Sequence, residues 1–253
     1  MSNGLTAYLS GYGTLLAFVR PAIVLAILAG LWAALRRTQL ETGARIATWL
    51  AVAIPLGLWL AAAWTLASRG VFEAGPGGVS PLPVAIALPV LVGLFALMRS
   101  ERIAVAIDAA TPAWLVGLQA YRVLGGNFVV LWSFGVIPGV FALPAGIGDV
   151  LVGLLALPVA FYLASGAPGG LTAAIAWNIF GILDLMNAVT LGALSSPGPL
   201  HLLALDHPNL VVGTYPTAMT PAFGVPLSLI LHGLSLWQLR RAMRASPNLA
   251  AAH

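Results

Sequence analysis

The chain of 253 residues contains no cysteine and no lysine, and only 7% of its residues are charged. Without cysteine it cannot form disulfides, perform thiol catalysis, or bind iron–sulfur clusters or cysteine-type zinc. Because all 11 basic side chains are arginine, a lysine Schiff base, such as retinal would need, is excluded too. Soluble domains carry about 25% charged residues, so this chain has too few to cover a soluble surface.

What is abundant instead is apolar sequence, at 60% of the residues. A helix that spans a bilayer needs about 20 mostly apolar residues, and seven segments meet this requirement: 13–35, 46–67, 81–98, 112–135, 147–165, 171–193 and 221–239. We therefore predict an all-α fold, a polytopic membrane bundle of seven transmembrane helices forming a single integral membrane domain over 1–253, with the lipid bilayer as its partner. Residues 1–19 carry no charge, whereas a cleaved signal peptide needs a basic start, so we expect the first span to be retained.

The arginines predict the orientation of the bundle. Eight of them fall on one side if there are seven spans: Arg36, Arg37, Arg45, Arg99, Arg102, Arg240, Arg241 and Arg244. The opposite connectors contain only Arg69. By the positive-inside rule the N-terminus lies outside and the C-terminus is cytoplasmic. The net charge of +4 is explained by this distribution, so we predict no nucleic-acid partner. Exclusive use of arginine fits a GC-rich bacterial genome, and we expect a bacterial cytoplasmic (inner) membrane protein.

Three ionisable residues lie near the middle of predicted spans: Arg122, Asp184 and His232. On insertion scales an Arg or Asp at the bilayer centre costs roughly 2.5–3.5 kcal/mol, so such residues need partners and usually mark a functional site. We predict an Arg122–Asp184 ion pair, with His232, whose charge can change near neutral pH, close to it. A buried pair that only fixes helix packing remains the alternative.

Helical phase extends this cluster. At 100° per residue, Gln119 and Asn127 lie on the same broad face of span four as Arg122, and Asn187 lies beside Asp184 in span six. In span four Gly125 and Gly126 allow a neighbouring helix to approach closely. These six residues, Arg122, Asp184, His232, Gln119, Asn127 and Asn187, are the predicted substrate or proton site.

A second polar group lies toward the outer face. Asp149 is predicted at the start of span five, where an acid can cap the helix. It follows a stretch from 137 to 148 rich in proline and glycine, and the sequence leaves open whether that stretch is a re-entrant or broken helix. The long outer connector 194–220 adds His201, Asp206 and His207. Together with Glu73 these side chains offer ligands for a divalent metal, although their spacing matches no standard zinc motif. We predict no other cofactor.

Four stretches resemble an uncharacterised group of bacterial multi-pass membrane proteins. The resemblance covers about residues 110–240, and its motifs are Gln119-Ala-Tyr-Arg122, 141–149, Trp177-Asn178 through Leu185, and Pro226 through Leu236. It implies a multi-pass membrane fold. No established activity comes with that group, so the resemblance transfers no catalytic residue.

Three functions follow from these features and stay open. The first is a small-molecule or ion transporter, or a subunit of one, in which Arg122 binds an anionic group or exchanges partners and Asp184 pairs with it or carries a proton. The second is a membrane enzyme with the outer-face His/Asp site. The third is a structural or accessory membrane protein without a substrate. The sequence does not choose between a homo-oligomer and a partner membrane subunit.

Overall fold

The computed structural model describes residues 3–74 and 79–250, and within them every regular element is helical. The helices are α1 Asn3–Leu35, α2 Thr42–Ser68, α3 Leu82–Arg99, α4 Glu101–Ala109, α5 Pro112–Gly117, α6 Asn127–Ser133, α7 Gly139–Ala164, α8 Gly170–Ser195 and α9 Val225–Ala250. A 3₁₀ segment, Leu118–Gly126, joins α5 to α6, a 3₁₀ turn covers Val211–Gly213, and a π-helical turn, Thr220–Gly224, leads into α9.

Seven helical stretches in this set are long and apolar enough to cross a membrane. They are α1, α2, α3, the composite Pro112–Ser133, α7, α8 and the stretch Thr220–Arg244. The predicted all-α seven-helix membrane bundle is confirmed. The protein is a multi-pass membrane protein.

Span five differs from its prediction. Residues 139–148 are part of the continuous helix α7, so this stretch is neither broken nor re-entrant, and the predicted start of span five at 147 is wrong. Pro138 stands just before the first helical residue, where its missing N–H costs nothing. Pro144 lies within the helix, as membrane helices tolerate when neighbouring groups satisfy the freed backbone.

Two other boundaries matter for the site. Helix α1 begins at Asn3, ten residues before the predicted start, and this places Arg20 near its middle. Between spans three and four the chain forms the short amphipathic helix α4, which buries Ile103, Ala106 and Ile107. The Ser100 hydroxyl caps α4 by accepting a hydrogen bond from the Ile103 backbone N–H, the usual role of serine at that position.

Span seven is the central helix of the bundle. In its most apolar window 72% of the residues are buried, compared with 6% for α3. The outer helices instead present large apolar side chains, such as Phe18, Leu91 and Phe161, which are 73%, 69% and 74% exposed. A soluble protein rarely exposes such continuous apolar surface, so this surface is the one that faces lipid.

The middle of span four is wound as a 3₁₀ helix for nine residues, longer than the usual three or four. With three residues per turn, side chains at i and i+3 eclipse. Gln119, Arg122 and Gly125 therefore form one straight row, and these three are the buried residues of the segment. The prediction from sequence placed these residues at 100° intervals, as in an α-helix. That winding would spread the three side chains over a wider arc of the helix surface.

Helix α7 packs against this 3₁₀ segment along a face of small residues. A Cβ atom at Gly153 would lie 2.5 Å from the backbone N of Val123, and one at Gly146 would lie 3.2 Å from the carbonyl oxygen of Gly125. Only glycine allows the two backbones to come this close. This contact brings Asp149, which lies between the two glycines on α7, against Arg122.

Candidate functional site: a buried ionic cluster beneath an outer cavity

Arg122 is the centre of a buried ionic cluster formed by spans four, five, six and seven. Its Nε donates a hydrogen bond to Asp149 Oδ1 at 2.7 Å, and its Nη2 lies 2.7 Å from the same oxygen. Nη2 also donates to Asp184 Oδ2 at 2.5 Å. The three side chains are only 1%, 9% and 7% exposed in the order Arg122, Asp149, Asp184. The predicted Arg122–Asp184 ion pair is present, and a second carboxylate joins it.

The other guanidinium nitrogen of Arg122 completes the set. Nη1 donates to the carbonyl oxygen of Gly181 at 3.1 Å and contacts His232 Nε2 at 3.2 Å. A guanidinium has five N–H donors and no acceptor; four of them form these hydrogen bonds, and Nη2 also lies within ion-pair distance of Asp149. One arginine therefore serves two carboxyl groups, so by formal charge the group has one negative charge more than Arg122 neutralises.

The protonation state of His232 follows from its partners. Since Arg122 can only donate, His232 Nε2 must accept, and the ring proton must lie on Nδ1. His232 Nδ1 then donates to Asn178 Oδ1 at 2.8 Å, and Asn178 Nδ2 donates to the Ala174 carbonyl and to Ser235 Oγ. His232 is fully buried and is held as a neutral imidazole.

Three glycines make room for the ionised side chains. A Cβ at Gly125 would overlap the carboxylate of Asp149, and one at Gly148 would overlap that of Asp184. At Gly181 a Cβ would lie 2.5 Å from His232 Nε2 and 3.1 Å from Arg122 Nη1. The side chains of Asp149, Asp184 and His232 thus each occupy space that a side chain at one of these glycines would fill.

A large cavity leads from the surface to this cluster. Its volume is about 420 Å³, within the range of small-molecule pockets. Val79, Leu200 and Leu210 line its outer part and are 63%, 61% and 58% exposed, so the cavity reaches the surface on the side of the connector segments 69–74, 79–81 and 196–219. Asp149 lines its inner part.

The cavity is apolar apart from a few groups. Phe128, Phe141 and Leu185 contribute to its wall, and the two charged side chains among the residues that line it are both acidic, Glu73 and Asp149. Polar contacts are offered by hydroxyl and amide groups of Ser80, Asn209, Thr214 and Thr220. A cavity of this kind fits a molecule with an apolar body and a cationic group.

A smaller crevice lies directly beyond the cavity. It has a volume of about 30 Å³, whereas one water molecule needs about 10–15 Å³, so it can accept a small polar group of two or three atoms. Four residues line both spaces: Asp149, Leu185, Thr220 and Val225. Arg20, Tyr121, Arg122 and Ser228 also line the crevice, so Asp149 stands between the outer cavity and two buried arginines.

Arg20 is the unexpected member of this group. With span one predicted at 13–35, Arg20 would lie toward its outer end, where arginine reaches the interface, but Arg20 is 5% exposed near the middle of α1. Its polar contact is a long hydrogen bond of 3.4 Å to Thr220 Oγ1, and it lies over the Phe223 ring at 5.9 Å from the centroid. Its Nε has no partner, and among the described residues no carboxylate forms an ion pair with it.

The structure distributes the other predicted site residues differently. Gln119 is buried one turn below the cluster, where its Nε2 donates to the Ser228 carbonyl at 3.0 Å. Asn127 is buried against α1 and accepts a hydrogen bond from the Tyr8 hydroxyl at 2.8 Å. Asn187 is exposed on the surface of α8. Of the six predicted residues, Arg122, Asp184 and His232 are therefore in direct contact, and Asn127 and Asn187 point elsewhere.

The predicted outer metal site does not form among the described residues. Asp206 and His207 are exposed and His201 is half-buried in the connector, whereas Asp149 is in the ionic cluster. Within residues 3–74 and 79–244, no three His, Asp or Glu side chains are arranged to hold a metal ion. The helix-cap interpretation of Asp149 is also wrong, because α7 begins ten residues earlier, at Gly139.

Sequence reasoning missed the roles of Asp149, Arg20 and Asn178. For Asp149 and Arg20 the reason was a misplaced helix start, which moved mid-span charges to the interface. Asn178 lies six residues before Asp184 on the same span, so a polar residue at this depth was visible in the sequence. At 100° per residue it lies on nearly the opposite face of the helix from Asn187, and it was therefore not counted with the predicted site. A charged residue at the middle of an apolar span needs a partner. With the correct helix ends, this rule would have identified Asp149 and Arg20 as site residues.

Comparison with known proteins identifies a family whose function is not known. The family described as Domain of unknown function (DUF8737) matches residues 79–240 of the chain. The match includes Arg122, Asp149, Asp184 and His232 but leaves out α1 and α2. No curated protein and no solved structure shows significant similarity to the chain.

Proposed function

The chain belongs to the DUF8737 family, and from its geometry we propose that it is a transporter of a small amphipathic molecule, or the substrate-binding subunit of one. The molecule enters the outer cavity, places its apolar part among Phe128, Phe141 and Leu185, and pairs a cationic group with Asp149. The observation that carries this proposal is that a cavity of about 420 Å³ ends on a carboxylate of a buried ionic cluster.

Charge complementarity supports the cationic group. All three guanidinium nitrogens of Arg122 contact protein partners, so a substrate anion would have to compete with those contacts for the role predicted for Arg122. The two carboxylates beside it carry the excess charge, and Glu73 adds a second acid to the cavity wall. In this proposal Arg122 fixes Asp149 and Asp184 in place, and Asp149 offers its second oxygen, Oδ2, to the substrate while Oδ1 stays on Arg122.

The orientation and location complete the proposal. The positive-inside rule puts the connectors that line the cavity outside and the C-terminus in the cytoplasm of a bacterial cell. The substrate therefore arrives from outside the cytoplasmic membrane. Access from the other side needs a conformational change around the central span, and the long 3₁₀ segment beside it is a suitable place because mid-helix 3₁₀ stretches often mark hinges.

The test is counterflow in proteoliposomes with two labelled probes that cross bilayers slowly, benzyltrimethylammonium and phenylalanine. Both carry an apolar ring and a cationic group. We expect at least one of them to exchange faster than in protein-free liposomes, and Asp149→Asn to abolish the exchange. The matched control is Asp108→Asn, because Asp108 is paired with Arg241 in an exposed ion pair away from the cavity. If neither probe exchanges above the protein-free rate, the proposal is wrong.

The structural or accessory alternative makes the opposite prediction. It treats the ionic cluster as a device for helix packing and expects no exchange of either probe, with Asp149→Asn changing only thermal stability. The enzyme alternative depended on the outer His/Asp group, and the separation of Asp149 from the exposed Asp206 and His207 offers it no support.

A further inference from the structure

The unpaired Arg20 carries information about the substrate beyond its cationic group. Arg20 is 5% exposed at the middle of a membrane span, and its one hydrogen bond within the part of the chain that the structure describes is the 3.4 Å bond to Thr220. A buried charge needs a counter-charge, and among the described residues the protein supplies none within ion-pair distance. The space next to Arg20 is the crevice of about 30 Å³ that begins where the outer cavity ends.

We propose that the substrate is zwitterionic, with its cationic group on Asp149 and its anionic group, a carboxylate or a group of similar size, in the crevice on Arg20. This inference rests on the proposed function and specifies its substrate class. The apolar part of the molecule stays in the outer cavity. Small apolar amino acids and related zwitterions have this arrangement of groups.

The charges of the buried cluster support this class over a simple cation or anion. Arg122 is shared between Asp149 and Asp184, which by formal charge leaves one negative charge in excess, and Arg20 adds one positive charge without an ion-pair partner among the described residues. A bound cation would compensate only the excess carboxylate. A bound anion would compensate only Arg20. A zwitterion compensates both and adds no net charge to the membrane interior.

The size and position of the crevice support the same class. Asp149 lines the crevice together with Arg20, Tyr121 and Thr220, so the two charged groups of the ligand need lie only a few atoms apart. The Thr220 hydroxyl, which is already bonded to Arg20, is positioned to contact an anionic group beside it. A volume of about 30 Å³ admits one small polar group and excludes a ring or a branched chain.

The test uses three probes with the same phenyl body and different charge: phenylalanine, phenethylamine and 3-phenylpropionate. Binding to purified protein in detergent is measured by calorimetry. We expect phenylalanine to bind at least tenfold more tightly than either singly charged probe. We expect Arg20→Gln to weaken phenylalanine at least tenfold and to leave phenethylamine unchanged, and Arg20→Lys to restore part of the loss. Arg241→Gln, which removes an exposed arginine, is the control and should change none of the three.

Several outcomes would overturn the inference, and they are distinct from failure of the proposed function. If phenethylamine binds the native protein as tightly as phenylalanine, or Arg20→Gln weakens both equally, the ligand is a cation and only the zwitterion is wrong. If chloride alone binds and Arg20→Gln abolishes that binding, the crevice holds a free anion instead.

Should Arg20→Gln fail to fold, two other measurements decide the matter. One is the ranking of the three probes by the native protein, and the other is Thr220→Val, which we expect to weaken the binding of phenylalanine and phenylpropionate only. If none of the three probes binds, the inference and the proposed function fall together.

Discussion

Arg122 Nη1 lies 3.2 Å from His232 Nε2, both side chains being buried. A guanidinium and a charged imidazolium would both be donors, so this contact requires a neutral histidine that accepts. The same requirement fixes the ring proton on Nδ1, where Asn178 Oδ1 lies 2.8 Å away. Span seven, the central helix, is thus joined to spans four and six by a directional chain of hydrogen bonds.

The tautomer of His232 gives the first prediction. In the protein labelled with ¹⁵N-histidine, one residue should show the Nδ1–H neutral tautomer at pH 7, and His232→Gln should remove that signal. His201→Gln serves as the control, because His201 lies in the connector and not in the cluster, and it should leave the signal in place. A doubly protonated spectrum for His232 at pH 7 would contradict the network described above.

The glycines of the cluster give the second prediction. Gly181→Ala places a methyl group 2.5 Å from the His232 ring and 3.1 Å from Arg122, and overpacking of this kind costs about 1–3 kcal/mol. We expect a lower melting temperature in detergent and a loss of substrate binding. Gly57→Ala is the matched control, since it lies within α2 with nothing within 4 Å of the new methyl group. It should be neutral or slightly stabilising because alanine favours helix. Equal melting temperatures for the two variants would refute the packing described here.

The ionic cluster gives the third prediction. Removing one partner of a buried pair costs about 3–5 kcal/mol, or roughly 6–20 °C in melting temperature at about 2–4 °C per kcal/mol. Arg122→Gln should be the most damaging single change because it leaves two carboxylates without their counter-ion. Asp184→Asn should be milder, since Arg122 keeps Asp149 as a partner. The double variant Arg122→Gln/Asp184→Asn should recover part of the loss.

The exposed Arg241–Asp108 ion pair provides a reference for the melting temperatures of these variants. Arg241 and Asp108 form an ion pair with side chains that are 49% and 38% exposed, and such pairs contribute about 0–1 kcal/mol. Asp108→Asn should therefore shift the melting temperature little. If Arg122→Gln were no worse than Asp108→Asn, the buried cluster would not contribute to stability, and only a functional role would remain for it.

The sequence was sufficient for the architecture and for half of the cluster. An apolar stretch of about 20 residues can pair its own backbone N–H and C=O groups inside a bilayer by forming a helix, and the chain has seven such stretches. Arg122, Asp184 and His232 were evident because each interrupts one of them. Asp149 and Arg20 fell near the predicted ends of their spans, because the starts of spans five and one were predicted at 147 and 13. Helices α7 and α1 begin earlier and include the proline, glycine and tyrosine residues that had been taken to lie before them.

The winding of span four shows a different limit. The row of Gln119, Arg122 and Gly125 depends on nine residues of 3₁₀ helix, and that winding goes with the close contact of α7 through Gly146 and Gly153. Hydrophobic periodicity records which residues are apolar and not how tightly a backbone is wound against its neighbour. A tertiary contact therefore decides which side chains reach the cluster, and it could not be found from span four alone.

The absence of cysteine makes the orientation and the outer cavity directly testable, because any introduced cysteine is the only one in the chain. Leu205 is 67% exposed in the connector after span six, and Glu101 is exposed in the connector after span three. In intact cells we expect a membrane-impermeant maleimide to label Leu205→Cys, and to label Glu101→Cys only after permeabilisation. The reverse pattern would invert the topology and place the cavity on the cytoplasmic side.

The same strategy measures the charge preference of the cavity. Ala193→Cys puts a thiol on its wall, where a cationic methanethiosulfonate should react faster than an anionic one of similar size. Glu73→Gln should reduce that ratio, because Glu73 and Asp149 are the acids lining the cavity and like-charged walls concentrate the opposite ion. The control is Leu205→Cys, outside the cavity lining, where the ratio should match that of free cysteine. A faster anionic reagent at position 193 would rule out a cation-accepting cavity and, with it, the role assigned to Asp149.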